Sequence, residues 1–160
     1  RPYPGGPLID KYAKDGNPDA FTFGIPKIDG LNFSFSGLKT SILYFIQKKT
    51  KENPQFIEQN LADICASIQH SIINILMKKI EKAAKETQIN NIAIAGGVSA
   101  NSGLRMRLSK MEQSHQWKTY IPPFSYCTDN AAMIAITGYY KYLNKEFCSQ
   151  EITAKARLNI

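Results

Sequence analysis

The chain has 160 residues, 43% of them hydrophobic and 21% charged, with a formal net charge of +7. That is the composition of one ordinary globular domain with a core, and it argues against a disordered or low-complexity segment. No stretch approaches the ~20 consecutive apolar residues that a membrane-spanning helix needs. Cys65, Cys127 and Cys148 are the three cysteines. An odd number with no Cys-x-x-Cys pair argues against a disulfide framework or a zinc ribbon, and a reducing cytoplasm suits it. Each cysteine is expected to be a small buried hydrophobe. The chain opens Arg1-Pro2-Tyr3-Pro4-Gly5-Gly6-Pro7, which does not start with an initiator Met and does not read as a signal peptide. The expectation is a piece of a longer protein.

In chain order, Leu8 to Lys14 reads as a short helix, opened by Pro7 and closed near Gly16. Leu31 to Ser36 alternates apolar and polar residues and predicts a strand with one buried face, broken by Gly37. Leu38 to Lys49 predicts a helix, and Asn53-Pro54 a break. From Ile57 to about Thr87, Leu61, Ile64, Cys65, Ile68, Ile72, Ile75, Leu76 and Ile80 recur at spacings of three and four. This is the apolar stripe of one long helix, with room for a kink near its middle. Asn91 to Ala95 predicts a strand ended by Gly96-Gly97, and Asn101 to Met111 a helix. Trp117 to Ile121 predicts a strand stopped by Pro122-Pro123, and Thr128 to about Leu143 a last helix. The tail to Ile160 reads as irregular. Strands alternating with helices predict an α/β domain whose sheet is covered by helices.

Four segments carry residues suited to chemistry. Ile94–Asn101 places two glycines and a helix start at the end of a strand, where bare backbone and a helix dipole can meet a ligand. Asn101 is either a ligand contact or the N-cap of the next helix; on the residues alone both readings stand. Asp129 in Cys127–Met133 suits a metal ligand, but an N-cap is the commoner use of such an Asp. Ser36, Gly37 and Lys39 follow the Phe33–Phe35 segment at a turn that lacks Walker spacing. Phe33 and Phe35 read as core and Lys39 as a solvated helix residue. In Tyr3–Asp10, Gly6 offers bare backbone and Asp10 an acceptor for ligand hydroxyls, or a surface acid.

The cations come in clusters: Lys48, Lys49, Lys51; Lys78, Lys79, Lys82, Lys85; and Arg105, Arg107, Lys110. Such a surface attracts polyanions, although each cluster by itself reads as a solvated helix face. His70 and His115 form no metal pair, and each reads as structural or solvated.

Together, YPGGP (Tyr3–Pro7), LNFSFSGLKT (Leu31–Thr40), AGGVSAN (Ala95–Asn101) and CTDNAAM (Cys127–Met133) resemble, in order and interval, the tRNA N6-adenosine threonylcarbamoyltransferase family. The resemblance runs from Tyr3 to about Leu158. It implies the actin/Hsp70/sugar-kinase fold (ribonuclease H-like), two α/β lobes with a ligand cleft between them, of which residues 1–160 are the single C-terminal lobe. It implies transfer of a threonylcarbamoyl group from threonylcarbamoyl-AMP to N6 of the adenosine beside the anticodon of tRNA. Gly6, Asp10 and Asn101 match substrate-contacting positions, Asp10 being the less uniform of the first two. Asp129 matches the ligand this lobe supplies to one divalent metal, iron or zinc. No catalytic residue is assigned. The family's His-x-x-x-His pair and Gly-Gly-His-Thr loop belong to the first lobe and do not occur here, so this chain alone is expected to be inactive. Expected partners are tRNA, the adenylate and other proteins of the modification pathway, in the cytoplasm and without a membrane. The competing readings are another ATPase or kinase of the actin-like superfamily, or a non-catalytic module that binds tRNA or protein.

Overall fold

A computed structural model describes residues 4–25 and 27–153. The chain begins with α1 (Gly5–Tyr12), which runs into a 3-10 turn at Ala13–Asp15. Next come α2 (Phe35–Glu52), a single-turn α3 (Phe56–Gln59) and the 27-residue α4 (Leu61–Thr87). Then β1 (Asn91–Ala93), α5 (Ser102–His115), β2 (Lys118–Tyr120) and α6 (Ala131–Leu143) alternate as helix and strand. The two strands pair in parallel, Ile92 opposite Thr119.

Helix α4 is the spine. Its periodic apolar residues serve two cores. Leu76 and Ile80 pack with buried Met77, Leu104, Leu108, Met111 and Trp117, where Ile92, Ile94 and Ile121 bring in the sheet. Ile68 and Ile72 pack instead with Phe23, Leu38 and Ile75. Phe21, Phe23 and Phe45 meet there at ring-centroid distances of 5.1 and 5.4 Å. On α4, just before Ile68, lies Ser67, fully buried: its hydroxyl accepts from Phe21 N at 3.1 Å and donates to Asn17 O at 3.3 Å. Serine at a helix face that must receive a loop makes the hydrogen bonds the loop's backbone would otherwise lose.

Gly16 shows how closely that loop approaches. A Cβ there would stand 2.1 Å from the backbone oxygen of Ala62. Its φ of −104° suits any residue, so the cost of a side chain is purely steric. Gly16→Ala is expected to destabilise the full-length protein by about 1–3 kcal/mol, the range for overpacking. Gly5→Ala, built into open space, is the control. Equal urea midpoints for the two variants would refute the close approach.

Several sequence expectations change. The 31–36 strand does not form: residues 31–34 are irregular, Ser34 takes the cap position, and Phe35 and Ser36 already belong to α2. Phe33 and Phe35 stack on each other 5.8 Å apart, about half exposed rather than in a core. A period-two pattern makes a strand only where a neighbour supplies the ladder, and none lies beside this segment among the described residues. Gly37 sits in the first turn of α2 and does not break it. The predicted 57–87 helix is cut at Asn60, whose side-chain amide donates to Phe56 O at 2.9 Å and so competes with the helical ladder. Cys65 and Cys127 are buried, but Cys148 is exposed. Helix α5 runs on to His115, ended by Gln116 in the left-handed conformation. The irregular tail expected from Asn144 on is found over residues 144–153, and residues 154–160 lie outside the described residues.

Helices cover only one face of the sheet among the described residues. Ala93 and Tyr120 are exposed, although parallel strands are normally buried on both faces. Every residue of α6 is exposed, including Ile134, Ile136, Tyr139 and Leu143. A helix this apolar is stable in water only when something packs on it. No helix of the described residues is long and apolar enough to cross a membrane.

Candidate substrate site

The site lies where both parallel strands end. After β1, Ile94 N still donates to Tyr120 O at 3.2 Å. The chain then turns at Gly96, whose φ of +77° strongly favours glycine. A 3-10 turn at Gly97–Ala100 follows. Buried Ser99 fixes the turn: its hydroxyl donates to Gly96 O at 2.7 Å. Gly96 and Gly97 face open space, and a Cβ on either would meet nothing within 4 Å.

Asn101 caps α5, its side-chain oxygen accepting from Leu104 N at 2.9 Å. Its side-chain nitrogen donates to Gln69 Oε1 on α4 at 2.7 Å and to Asp10 Oδ1 on α1 at 3.2 Å. The Asp10 carboxylate also accepts from Ser102 N at 3.1 Å and from the Ser102 hydroxyl at 2.8 Å. Three helices thus meet at one half-buried polar node. A carboxylate is favoured here because the first turn of α5 presents unpaired N–H groups and partial positive charge. Gly6 lies four residues before Asp10, on the same face of α1. Asp10 and Asn101 are therefore brought together, with Gly6 one helical turn from Asp10. Asn101 takes the N-cap role, and its amide belongs to the node.

Arg105 joins this node to the second loop. One guanidinium nitrogen donates to Ser99 O at 2.9 Å and the other to Pro122 O at 2.8 Å. The guanidinium stacks over Phe124, 4.3 Å from the ring centre, and reaches Cys127 Sγ at 3.8 Å. It is half-buried, not part of a solvated face. Arg107 and Lys110 of the same cluster are exposed. Lys79 likewise leaves its expected solvated role, donating to Ile28 O and Gly30 O at 2.8 and 2.6 Å.

Asp129 lies just beyond this clamp, exposed and without a hydrogen bond among the described residues. The N-cap of α6 is Asn130, which accepts from Met133 N at 3.2 Å. The capping role expected of Asp129 therefore falls to its neighbour, and the Asp129 carboxylate is left facing solvent. No group of three or more His, Cys, Asp or Glu among the described residues is placed to hold a metal. His70 lies on α4 with its ring 3.9 Å from Asp19 Oδ1, and His115 packs on Trp117 at 4.9 Å. Neither joins the site.

The model of the tRNA N6-adenosine threonylcarbamoyltransferase family matches residues 1–136. The chain belongs to this family. It is 62% identical over 98% of its length to the tRNA N6-adenosine threonylcarbamoyltransferase of Christiangramia forsetii, and 54% identical over 99% to that of Cytophaga hutchinsonii. A more distant relative of the same name, from Thermosipho africanus, is 47% identical over 99% of the chain. In each case 46% of the relative is covered, so the chain spans about half the length of the curated relatives it matches.

Within this family member, sequence reasoning missed Gln69, Ser102 and Arg105. Gln69 sits among apolar residues of the α4 stripe, and its role appears only once α1 and α5 dock on α4. Arg105 carried a weak signal: it lies one turn into a helix that begins at a glycine-rich turn, where a long cation can reach back to that turn's carbonyls.

Proposed function

We propose that residues 1–160 are the C-terminal lobe of a two-lobed, actin/Hsp70-type enzyme. It transfers the threonylcarbamoyl group of threonylcarbamoyl-AMP to N6 of the adenosine beside the anticodon of tRNA. The observation that carries the reading is the convergence of three family segments. Gly6 and Asp10, the Gly96–Asn101 turn and the Cys127–Met133 loop are joined by the Asn101 node and the Arg105 clamp.

The chemistry assigned to this lobe is positioning. The α5 N-terminus is already satisfied by Asp10, so it is not a free phosphate seat. The open backbone at Gly96–Gly97 is where an adenylate can approach without a Cβ in its way. Asp10 and the Asn101–Gln69 pair then offer a fixed polar edge to nucleoside hydroxyls. The N6 amine forms its new bond to the carbamoyl carbon, the bond from that carbon to the phosphate oxygen breaks, AMP departs, and the amine loses a proton. Holding both reactants in register supplies most of the acceleration in such a reaction.

Asp129 would be this lobe's ligand to one divalent metal, iron or zinc. A single solvent-facing carboxylate fits one position of such a site and does not complete it. When bound, the ion would polarise and orient the acyl phosphate. The remaining ligands belong to the part of the protein beyond these residues, so this chain alone is expected to transfer nothing. The enzyme is assigned to the cytoplasm, with other proteins of the modification pathway as partners.

The test is transfer by the full-length protein. Purified with threonylcarbamoyl-AMP and a tRNA whose anticodon-adjacent base is adenosine, it should give threonylcarbamoyl-adenosine in the digested tRNA. ATP hydrolysis without transfer would refute the reading in favour of an ATPase or kinase of the same superfamily.

A further inference from the structure

A second concave surface lies beside the site. It is a groove of about 240 Å³ between α4, α5 and the end of α1, with Ile73 in its floor. One wall carries His70 and Asn74, one turn apart on α4, and the exposed Lys78 continues that row. The other wall carries Arg107 and Lys110 on α5. Neither cation forms an ion pair within 4 Å among the described residues, whereas Lys49 and Lys82 are paired to Glu52 and Glu86. Two acids stand near it: Asp19, 3.9 Å from His70, and Asp10, whose carboxylate is held by Asn101 and Ser102.

An ordinary solvated helix face would be convex and laced with acids. This one is concave and carries unneutralised cations, with amide donors between them. Its position is the second observation. Gln69 lines the groove and also accepts the Asn101 hydrogen bond, so the groove borders the candidate substrate site.

We propose that this groove seats the tRNA phosphate backbone next to the reacting adenosine, with Arg107 and Lys110 as the phosphate contacts and Asn74 as a donor to phosphate or ribose oxygens. The proposal rests on the functional reading above, because an RNA whose base enters that site must leave it across an adjoining surface. Unpaired cations along one wall of a groove, facing an amide donor on the other, suit a chain of phosphates, each contact releasing counterions.

The test uses the full-length protein and unmodified tRNA, with affinity measured by fluorescence anisotropy across a salt series. R107E/K110E should weaken binding about tenfold or more at moderate salt and lower the slope of log affinity against log salt by about one to two. The KM for tRNA should rise, with kcat at saturating tRNA and affinity for threonylcarbamoyl-AMP unchanged. K48E/K51E on α2 makes the same change in net charge away from the groove and should stay within about twofold. R107A/K110A, which removes charge without reversing it, should give the same ordering with a smaller effect. Equal weakening by both charge-reversal variants would overturn the proposal, leaving only general polycation behaviour. Unchanged tRNA affinity with lost binding of a pathway protein would overturn it in favour of a protein partner. If the unaltered protein binds tRNA but transfers nothing, the functional reading fails while the affinity arm still decides the groove.

Discussion

Arg105→Met in the full-length protein is expected to cost about 2–4 kcal/mol of stability and to lower transfer by about a hundredfold. The side chain satisfies two backbone carbonyls, Ser99 O and Pro122 O, in the half-buried space between the two site loops. Methionine fills much of the same volume and donates nothing, so both carbonyls lose their partner at about 1–3 kcal/mol for a buried group. The effect on transfer comes from position. The Gly96–Asn101 turn and the loop leading to Asp129 are tied through this one guanidinium, and a displacement of about 1 Å in a site that works by orientation costs about a hundredfold. Arg107→Met, two residues on and exposed, should change stability by no more than about 0.5 kcal/mol. Urea denaturation of both variants decides the matter. Equal midpoints would show that Arg105 is an ordinary surface cation.

Asp129→Ala should do the reverse: leave the fold alone and remove the chemistry. The Asp129 carboxylate makes no hydrogen bond among the described residues, and α6 is capped by Asn130. Its loss should therefore change stability by no more than a surface substitution does, about 0.5 kcal/mol. If Asp129 is a direct metal ligand, metal content and transfer should both fall at least about 100-fold, since even partners one layer out from a metal are worth about 10–100-fold. Elemental analysis of the purified variant reads the first and tRNA digestion the second. Full metal content would refute the ligand role. Asn130→Ala is the complement, expected to cost about 1 kcal/mol through the lost cap while the metal stays bound.

The two variants also show what each level of structure decides. The local elements were legible because their causes are local. The stripe from Ile64 to Ile80 gives α4 at helical spacing. The apolar run after Asn91 and the segment before Pro122-Pro123 give the two strands, shortened to three residues each. The glycine pair at Gly96 and the polar residues before α5 and α6 mark the turns, since positive φ and capping are properties of single residues. Family membership was legible for the same reason, in four short segments in order.

What the sequence left open depended on neighbours distant in the chain. The alternation at Leu31–Ser36 predicted a strand, yet no partner strand lies beside it, so Phe35 begins a helix instead. Asp129 and Asn130 are both good caps, and only the geometry of the turn assigns that role to Asn130. Arg105 and Arg107 are two residues apart and chemically identical. Helix rotation points one into the gap between two loops, where carbonyls wait, and the other into a groove open to solvent. Asp10 and Asn101 were separate candidates 91 residues apart. They became one node because α1 and α5 both dock on α4 and the unpaired N–H groups of α5 need an acceptor there. Periodicity, capping and glycine are written residue by residue, and the sequence alone determined them. Which polar groups meet depends on how helices pack, and only the tertiary structure decided that.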